Sequence, residues 1–575
     1  MSPAWSRKPV PLGGGGGNGD GNGDGVDGYY SLGDFHMPIS TVSHKAQSWF
    51  DRGLIWTFAF NHEEAVRCFE RAAAADPGCA MAYWGIAFAL GPNYNKPWGH
   101  FDELELERNV MKASQAVSEG LHQARHASGL ERALLNALQQ RYPTPWMTAS
   151  HGYKANTAYA QAMEAAYLQY PSDPNVAAIY ADAVMNLTPW ALWDERTGEP
   201  VKEGTLEAKA ALERAMAEHP KHPGLLHLYI HLMEQSRHPE QALRAAEDLC
   251  GLVPDAGHLN HMPSHIDVLC GNYRHAVAAN QLAIRADMKF LAREGPLNFY
   301  SLYRCHNFHF RLYAAMFAGQ SAAALETADL LEQTIPAELL RIKSPPMADW
   351  VEGFLSMRPH VLVRFGRWQD AIDLKIPIDT DLYAMTTAMA YYAKVVAMAN
   401  TGRIEEADRH RELFREAVKR VPPSRTIFNN ACSDILKIAG AMLDGELEYR
   451  RGNVELGFEH LRRAVILDDS LPYDEPWGWM QPTRHAYGAL LLEQGRVEQA
   501  MAVYKADLGL DDTLPRSHQH RNNVWALHGL HECLLRLGRD DEARMIRPQL
   551  ELALAGADVR IKGSCFCRSN CASRL

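Results

Sequence analysis

Histidine carries the chemistry of this sequence. His227 and His231 are four residues apart, His261 and His265 repeat that interval with His258 just before them, and His306 and His309 follow three residues apart. On a helix, intervals of three and four place side chains on one face, a few ångströms from each other. Two imidazoles so placed suit two ligands of one transition-metal ion, because each neutral ring offers a nitrogen lone pair. Glu234 follows His231 by three and shares that face, as a further ligand or as a general base. Nitrogen-rich sites of this kind suit copper, iron and zinc, and the residue types do not choose among them. The run 227–234 lacks the Glu directly after the first His that a zincin helix requires. The sequence also contains no P-loop, no GxGxxG turn after a strand, no GxSxG elbow and no kinase motif set.

Rings spaced this way need helices to hold them, and from residue 43 onward the apolar pattern is helical almost throughout, with no sustained alternation of strand type. Counting from Ala46, the residues Trp49, Gly53, Trp56, Ala65, Phe69, Ala72 and Pro77 fall at positions 4, 8, 11, 20, 24, 27 and 32 of a two-helix unit. That is the tetratricopeptide (TPR) pattern. Small residues at positions 8 and 20 let the two helices approach, aromatics fill the gaps, and Pro77 ends the second helix. The register recurs from Pro223, Gly257, Cys305, Glu352, Ala388, Gln481 and Val524, with Ala242, Ala276, Ala324, Ala371, Ala407, Ala500 and Ala543 at the twentieth position. A degenerate unit near Ile438 has Gly457 there.

The expected fold is therefore all-α, a TPR-like α-solenoid over residues 35–555 with a concave inner face. A disordered Gly/Asn/Asp-rich lead over residues 1–34 precedes it, and a Cys-containing tail over residues 556–575 follows it. Inside the lead, residues 20–25 imitate the first half of an EF-hand loop, but Ser31 stands where the bidentate Glu belongs, so the segment reads as linker.

Histidine was not used to set this register, yet His227, His261 and His309 fall at position 5 of their units, and His231 and His265 at position 9. His258 and His306 fall at position 2, and Glu234 at position 12. Positions 2, 5, 9 and 12 form the stripe that lines the inner face of a TPR stack. Neighbouring helices lie about 9 Å apart, so side chains from adjacent units converge. The stripe predicts a metal site with His227, His231, His261 and His265 as ligands, His309, His306 and His258 beside them, and Glu234 as ligand or base. His360, His485 and His528 also fall on the stripe, further along the chain. A hydrogen-bonded polar lining is the competing account of the same residues.

Composition bounds the rest. The 58 Lys and Arg against 69 Asp and Glu give a net charge of -11, which argues against a non-specific nucleic-acid or anionic-membrane binder. No apolar run suits a signal peptide or a membrane span, and ten scattered Cys fit a reducing compartment, so a cytoplasmic location is expected. Cys565, Cys567 and Cys571 in the tail read as free thiols, as a clamp for a soft metal ion or as a redox element. Loops at 93–98, 186–193 and 473–479, rich in Trp, Tyr and Asn, are placed to rim the inner face and enclose a small organic ligand, or to pack the bends between units.

The segment 43–94, the run Gly257-His-Leu-Asn-His261-Met-Pro-Ser-His265-Ile266, the run His306-Asn-Phe-His309-Phe310 and the terminal Ser-Cys-Phe-Cys-Arg resemble a family of large TPR-domain proteins of bacteria and fungi. The resemblance covers nearly all of the chain after the lead. It implies the architecture, and since that family mostly lacks an assigned activity, it implies no catalytic roles. Two functions follow as expectations. One is a metal-dependent enzyme acting on a small organic substrate, an oxidoreductase if the metal is copper or iron. The other is a TPR scaffold that mediates protein–protein interaction by holding a partner-protein peptide in its groove.

Overall fold

The computed structural model describes residues 28–568. The chain divides into two units, Met1–Ser31 and Leu32–Leu575, and everything below concerns the second. The EF-hand-like run 20–25 and Cys571 lie outside the described residues. Leu32 is buried, so ordered packing starts a few residues before the expected boundary at 35.

The fold is the expected all-α, TPR-like stack. Helices succeed one another and pack in sequence: His44–Phe58 on His62–Ala75, that helix on Ala80–Leu90, and so on to Val524–Arg536 on Asp540–Ala555. Among the described residues the only strands are Thr426–Ile427 and Asn430–Ala431, a two-residue antiparallel pair. Local signals start the helices where the sequence predicts. The Ser43 and Asn61 side chains accept from Ala46 N–H and Glu64 N–H, satisfying donors that a helix start leaves without partners.

The small residues of the register act as steric permits. The Phe69 ring lies between Gly53 and Gly85, and a Cβ on either glycine would come within 2.6 Å or 2.4 Å of it. All seven alanines at the twentieth position are buried. Where Gly457 replaces the alanine, a Cβ would meet the Gly445 carbonyl oxygen at 2.9 Å, so the two helices there cross closer than an alanine allows.

The inner face differs from the open groove expected of a solenoid. The long connections fold inward and cover it: Tyr94, Trp98, Trp479 and Met480 are all fully buried. Contacts between residues far apart in sequence fasten this cover. Ser344 Oγ donates to Asp102 at 2.8 Å, Ser517 Oγ donates to Glu195 at 2.8 Å, and Trp525 Nε1 donates to the Met316 carbonyl at 2.7 Å. Insertions between units, visible in the sequence as departures from the repeat length of about 34, supply the chain that closes the face.

Candidate metal centre

Four helices bring the histidines together. Pro223–Glu234 carries His227, His231 and Glu234; the short helices Gly257–His261 and Pro263–Cys270 carry His258, His261 and His265; Ser301–Phe317 carries His306. Pro263 follows Met262 at the first position of its helix, where a missing N–H costs nothing, so the His261–His265 spacing survives the join. Gly224 lets the turn at Phe58 approach the first helix, since a Cβ there would meet the Phe58 ring at 2.7 Å.

Two tri-histidine groups result, His227–His231–His258 and His261–His265–His306. In each, one ring nitrogen per residue lies within 4.8 Å of the others. In the first group the outward-facing nitrogens are tied down. His227 Nδ1 donates to the Phe58 carbonyl at 2.6 Å, a helix-terminal oxygen without a partner in its own helix, and His231 Nδ1 donates to Glu234 Oε1 at 2.8 Å. Each bond fixes a tautomer that leaves an unprotonated Nε2. Neither Nε2 has a partner among the described residues, and neither ring nitrogen of His258 has one. The Phe60 ring packs against all three imidazoles, with centroids 4.5 Å, 5.8 Å and 5.3 Å from His227, His231 and His258. Its backbone holds φ at 54°, a left-handed conformation that a bulky side chain rarely adopts.

The second group repeats the logic. His261 Nδ1 donates to Asn280 Oδ1 at 2.7 Å, and that amide is oriented by its own Nδ2, which donates to the Ala276 carbonyl. His265 Nδ1 donates to Glu234 Oε2 at 2.5 Å. The Nε2 atoms of His261 and His265 then carry lone pairs, and they face each other at 2.7 Å. No hydrogen joins them in that tautomeric state; two lone pairs aimed at one place are the arrangement that a shared cation neutralises. His306 stands 4.5 Å from His261 between ring centroids, and its Nδ1 has no partner among the described residues.

Glu234 spans the two groups: one carboxyl oxygen meets His231 and the other His265. Burial, with Glu475 alongside, pushes the Glu234 carboxyl well above the ordinary carboxylate value. Glu475 approaches from the cover, 3.5 Å from His265 Nδ1, and its Oε1 has no partner among the described residues. Burial pushes the Glu475 carboxyl up to about 7. Burial also pulls His227 and His261 down to about 3, and holds His231, His258, His265 and His306 well below the ordinary imidazole value. The six rings are neutral at pH 7, the form that binds metal.

Of the residues named from sequence, His227, His231, His258, His261, His265, His306 and Glu234 come together. His309 does not: its Nε2 abuts Met480 Sδ at 2.7 Å and its ring packs on Phe354. His360 packs on Trp479, and His485 binds Asp507 and Arg364. Cys565 and Cys567 are joined in a disulfide in a tail segment fastened by Arg364, which donates to the Ser564 carbonyl, and neither belongs to the histidine groups. The sequence reading missed Phe60, Asn280 and Glu475. Only Glu475 left a trace, lying inside the aromatic loop 473–479.

No family model and no curated protein matches the chain. Among solved structures it is similar to yeast Tom70, at 13% identity over 86% of this chain and 90% of that one, with a TM-score of 0.29. It is also similar to a chain in the structure of Naa15/Naa10 bound to HypK-THB, at 13% identity over 89% of this chain and 70% of that one, with a TM-score of 0.20. Neither likeness bears on the site.

Proposed function

We propose that the protein is a transition-metal protein whose two tri-histidine groups form one dinuclear centre, and that it acts as a metal-dependent enzyme on a small organic molecule. The observation that carries this reading is the set of partnerless nitrogens. Unsatisfied buried polar atoms cost roughly 1–3 kcal/mol each, and here they cluster on His227, His231 and His258, the first two with their far sides already anchored to oxygens. An anchored imidazole with a free inward lone pair is the form in which a protein holds a metal ion. Copper, iron and zinc all suit six imidazoles. Copper or iron would supply oxygen-dependent oxidation, and zinc would supply hydrolysis. The chain's own contribution is to fix four tautomers, to exclude water, and to couple the two groups through Glu234.

The other expected use, a scaffold holding a partner peptide against the histidine stripe, fits the fold class but not this face. The six rings and Glu234 are at most 3% exposed, so a peptide has no access to them, and a scaffold role would use the outer surfaces. The test is elemental analysis of the purified full-length chain, with His227→Ala and His261→Ala variants. Two equivalents of one transition metal per chain are expected, reduced to one or none in each variant. A wild-type chain that is folded and stays metal-free after reconstitution with Cu, Fe and Zn salts would overturn the reading.

A further inference from the structure

Beside the histidine groups lies a second space with different chemistry. A cavity of about 150 Å³ is lined by the rings of Trp190, Phe299, Trp350 and Phe428, with the polar side chains of Asn95 and His100 among them. It adjoins both groups through single side chains. Phe428 packs on His306 at 4.5 Å, while Trp190 packs on Tyr94 at 5.9 Å and Tyr94 on His231 at 4.8 Å. Two of these walls are held in costly backbone: φ is 55° at Trp190 and 46° at Phe428, the same left-handed region that Phe60 occupies. Backbone of this type under bulky aromatic side chains concentrates at functional sites, where the surroundings dictate side-chain position.

The contents of the wall narrow the occupant. The faces are aromatic and flat, with Phe299 and Trp350 crossing edge to face at 5.4 Å between centroids. The Lys96 ammonium in the lining is already paired with Glu105 at 2.5 Å and seated over the Phe299 ring at 3.9 Å, and burial pulls His100 down to about 4, so the chamber offers no free cation to a carboxylate or phosphate. Asn95 Oδ1 is buried and lacks a partner among the described residues, an acceptor waiting for a donor. A space of this size with apolar walls accommodates one benzene ring.

We infer that this chamber binds an uncharged monocyclic phenol, ring between the Trp and Phe faces and hydroxyl donating to Asn95 Oδ1, next to the histidine groups. As a binding site the chamber stands by itself; as the substrate site it rests on the metal-centre reading.

The test is calorimetric titration of the chelator-treated full-length chain with phenol, and with benzene, cyclohexanol and benzoate as controls. One phenol per chain is expected, binding at least tenfold more tightly than any control. Asn95→Leu removes the preference for phenol over benzene, and Trp350→Ala, at a partly exposed position, weakens phenol at least tenfold with the melting temperature retained. The inference is overturned if phenol fails to bind the folded chain, if cyclohexanol or benzoate binds as well, or if both variants bind like wild type. Because the titration is done without metal, phenol binding to a chain that takes up no metal would sink the centre and leave the chamber, and metal uptake without phenol binding would do the reverse.

Discussion

Two of the buried histidine clusters among the described residues are built in opposite ways. Around Asp507 both His485 nitrogens and both carboxylate oxygens are partnered: His485 donates from Nε2 to Asp507 Oδ2 at 2.9 Å and accepts at Nδ1 from Arg364, His520 reaches Asp507 Oδ1 at 2.9 Å, and Asn523 donates to the same carboxylate. In the group of His227, His231 and His258 the inward nitrogens have none. Both clusters are buried and both include residues of the inner stripe, so burial and phase do not separate a structural histidine from a ligand. What separates these two clusters is the state of the second ring nitrogen.

That contrast can be broken by mutation. His485→Leu removes one donor to the buried Asp507 carboxylate and the acceptor of one buried Arg364 N–H, and the expected loss is roughly 3–5 kcal/mol in a denaturant melt. A loss under 1 kcal/mol would show that the polar cluster is not holding the fold. Metal addition sharpens the other side. Reconstitution at a hundredfold excess over Kd should stabilise the wild-type chain by about 2.7 kcal/mol per ion, with no such gain in His258→Leu. Glu234→Ala removes the acceptor of both imidazole N–H groups at once. Metal affinity should fall about 10–100-fold at both groups together, read by competition with a chelator. An effect on one group alone would refute the bridging role.

Acid tests the satisfied and unsatisfied rings alike. Burial lowers His222, His309 and His360 to about 3, against about 6.5 in the unfolded chain. The unfolded state therefore binds more protons below pH 6.5. The stability these neutral rings allow is complete above that pH and is lost as pH falls toward 3, by roughly 1.4 kcal/mol per ring per pH unit. Midpoints measured at pH 7 and pH 5.5 check this. The smallest effect belongs to His258→Leu in the metal-free chain. Removing two partnerless nitrogens should leave stability within about 1 kcal/mol of wild type, or raise it.

The repeat was legible because its steric rules are local. Gly53, Phe69 and the alanines at the twentieth position report helix approach directly, and they set the register that put seven site residues in phase. The stripe specified a face, but not how far each ring reaches across the stack. His306 and His309 differ by less than one turn, yet one joins the group and the other meets Met480, 171 residues away in sequence. Glu475, Asn280 and Phe60 were hidden for the same reason. Their roles come from tertiary approach, and no spacing within a helix encodes a residue delivered by a distant loop. The closed inner face was likewise beyond the repeat pattern, because that pattern describes units and the insertions that seal them follow no period.

The cover over the histidines has a consequence for the order of events during synthesis. All six rings leave the ribosome well before the loop that carries Glu475 and Met480, so for an interval the nascent chain presents its imidazoles to the surrounding fluid. Once that loop is seated with Glu475 against His265, an ion held as proposed would exchange only when the loop lifts away. Cargo captured early would then be released slowly, and the ion found in the mature chain would reflect what was abundant at translation more than what binds best at equilibrium.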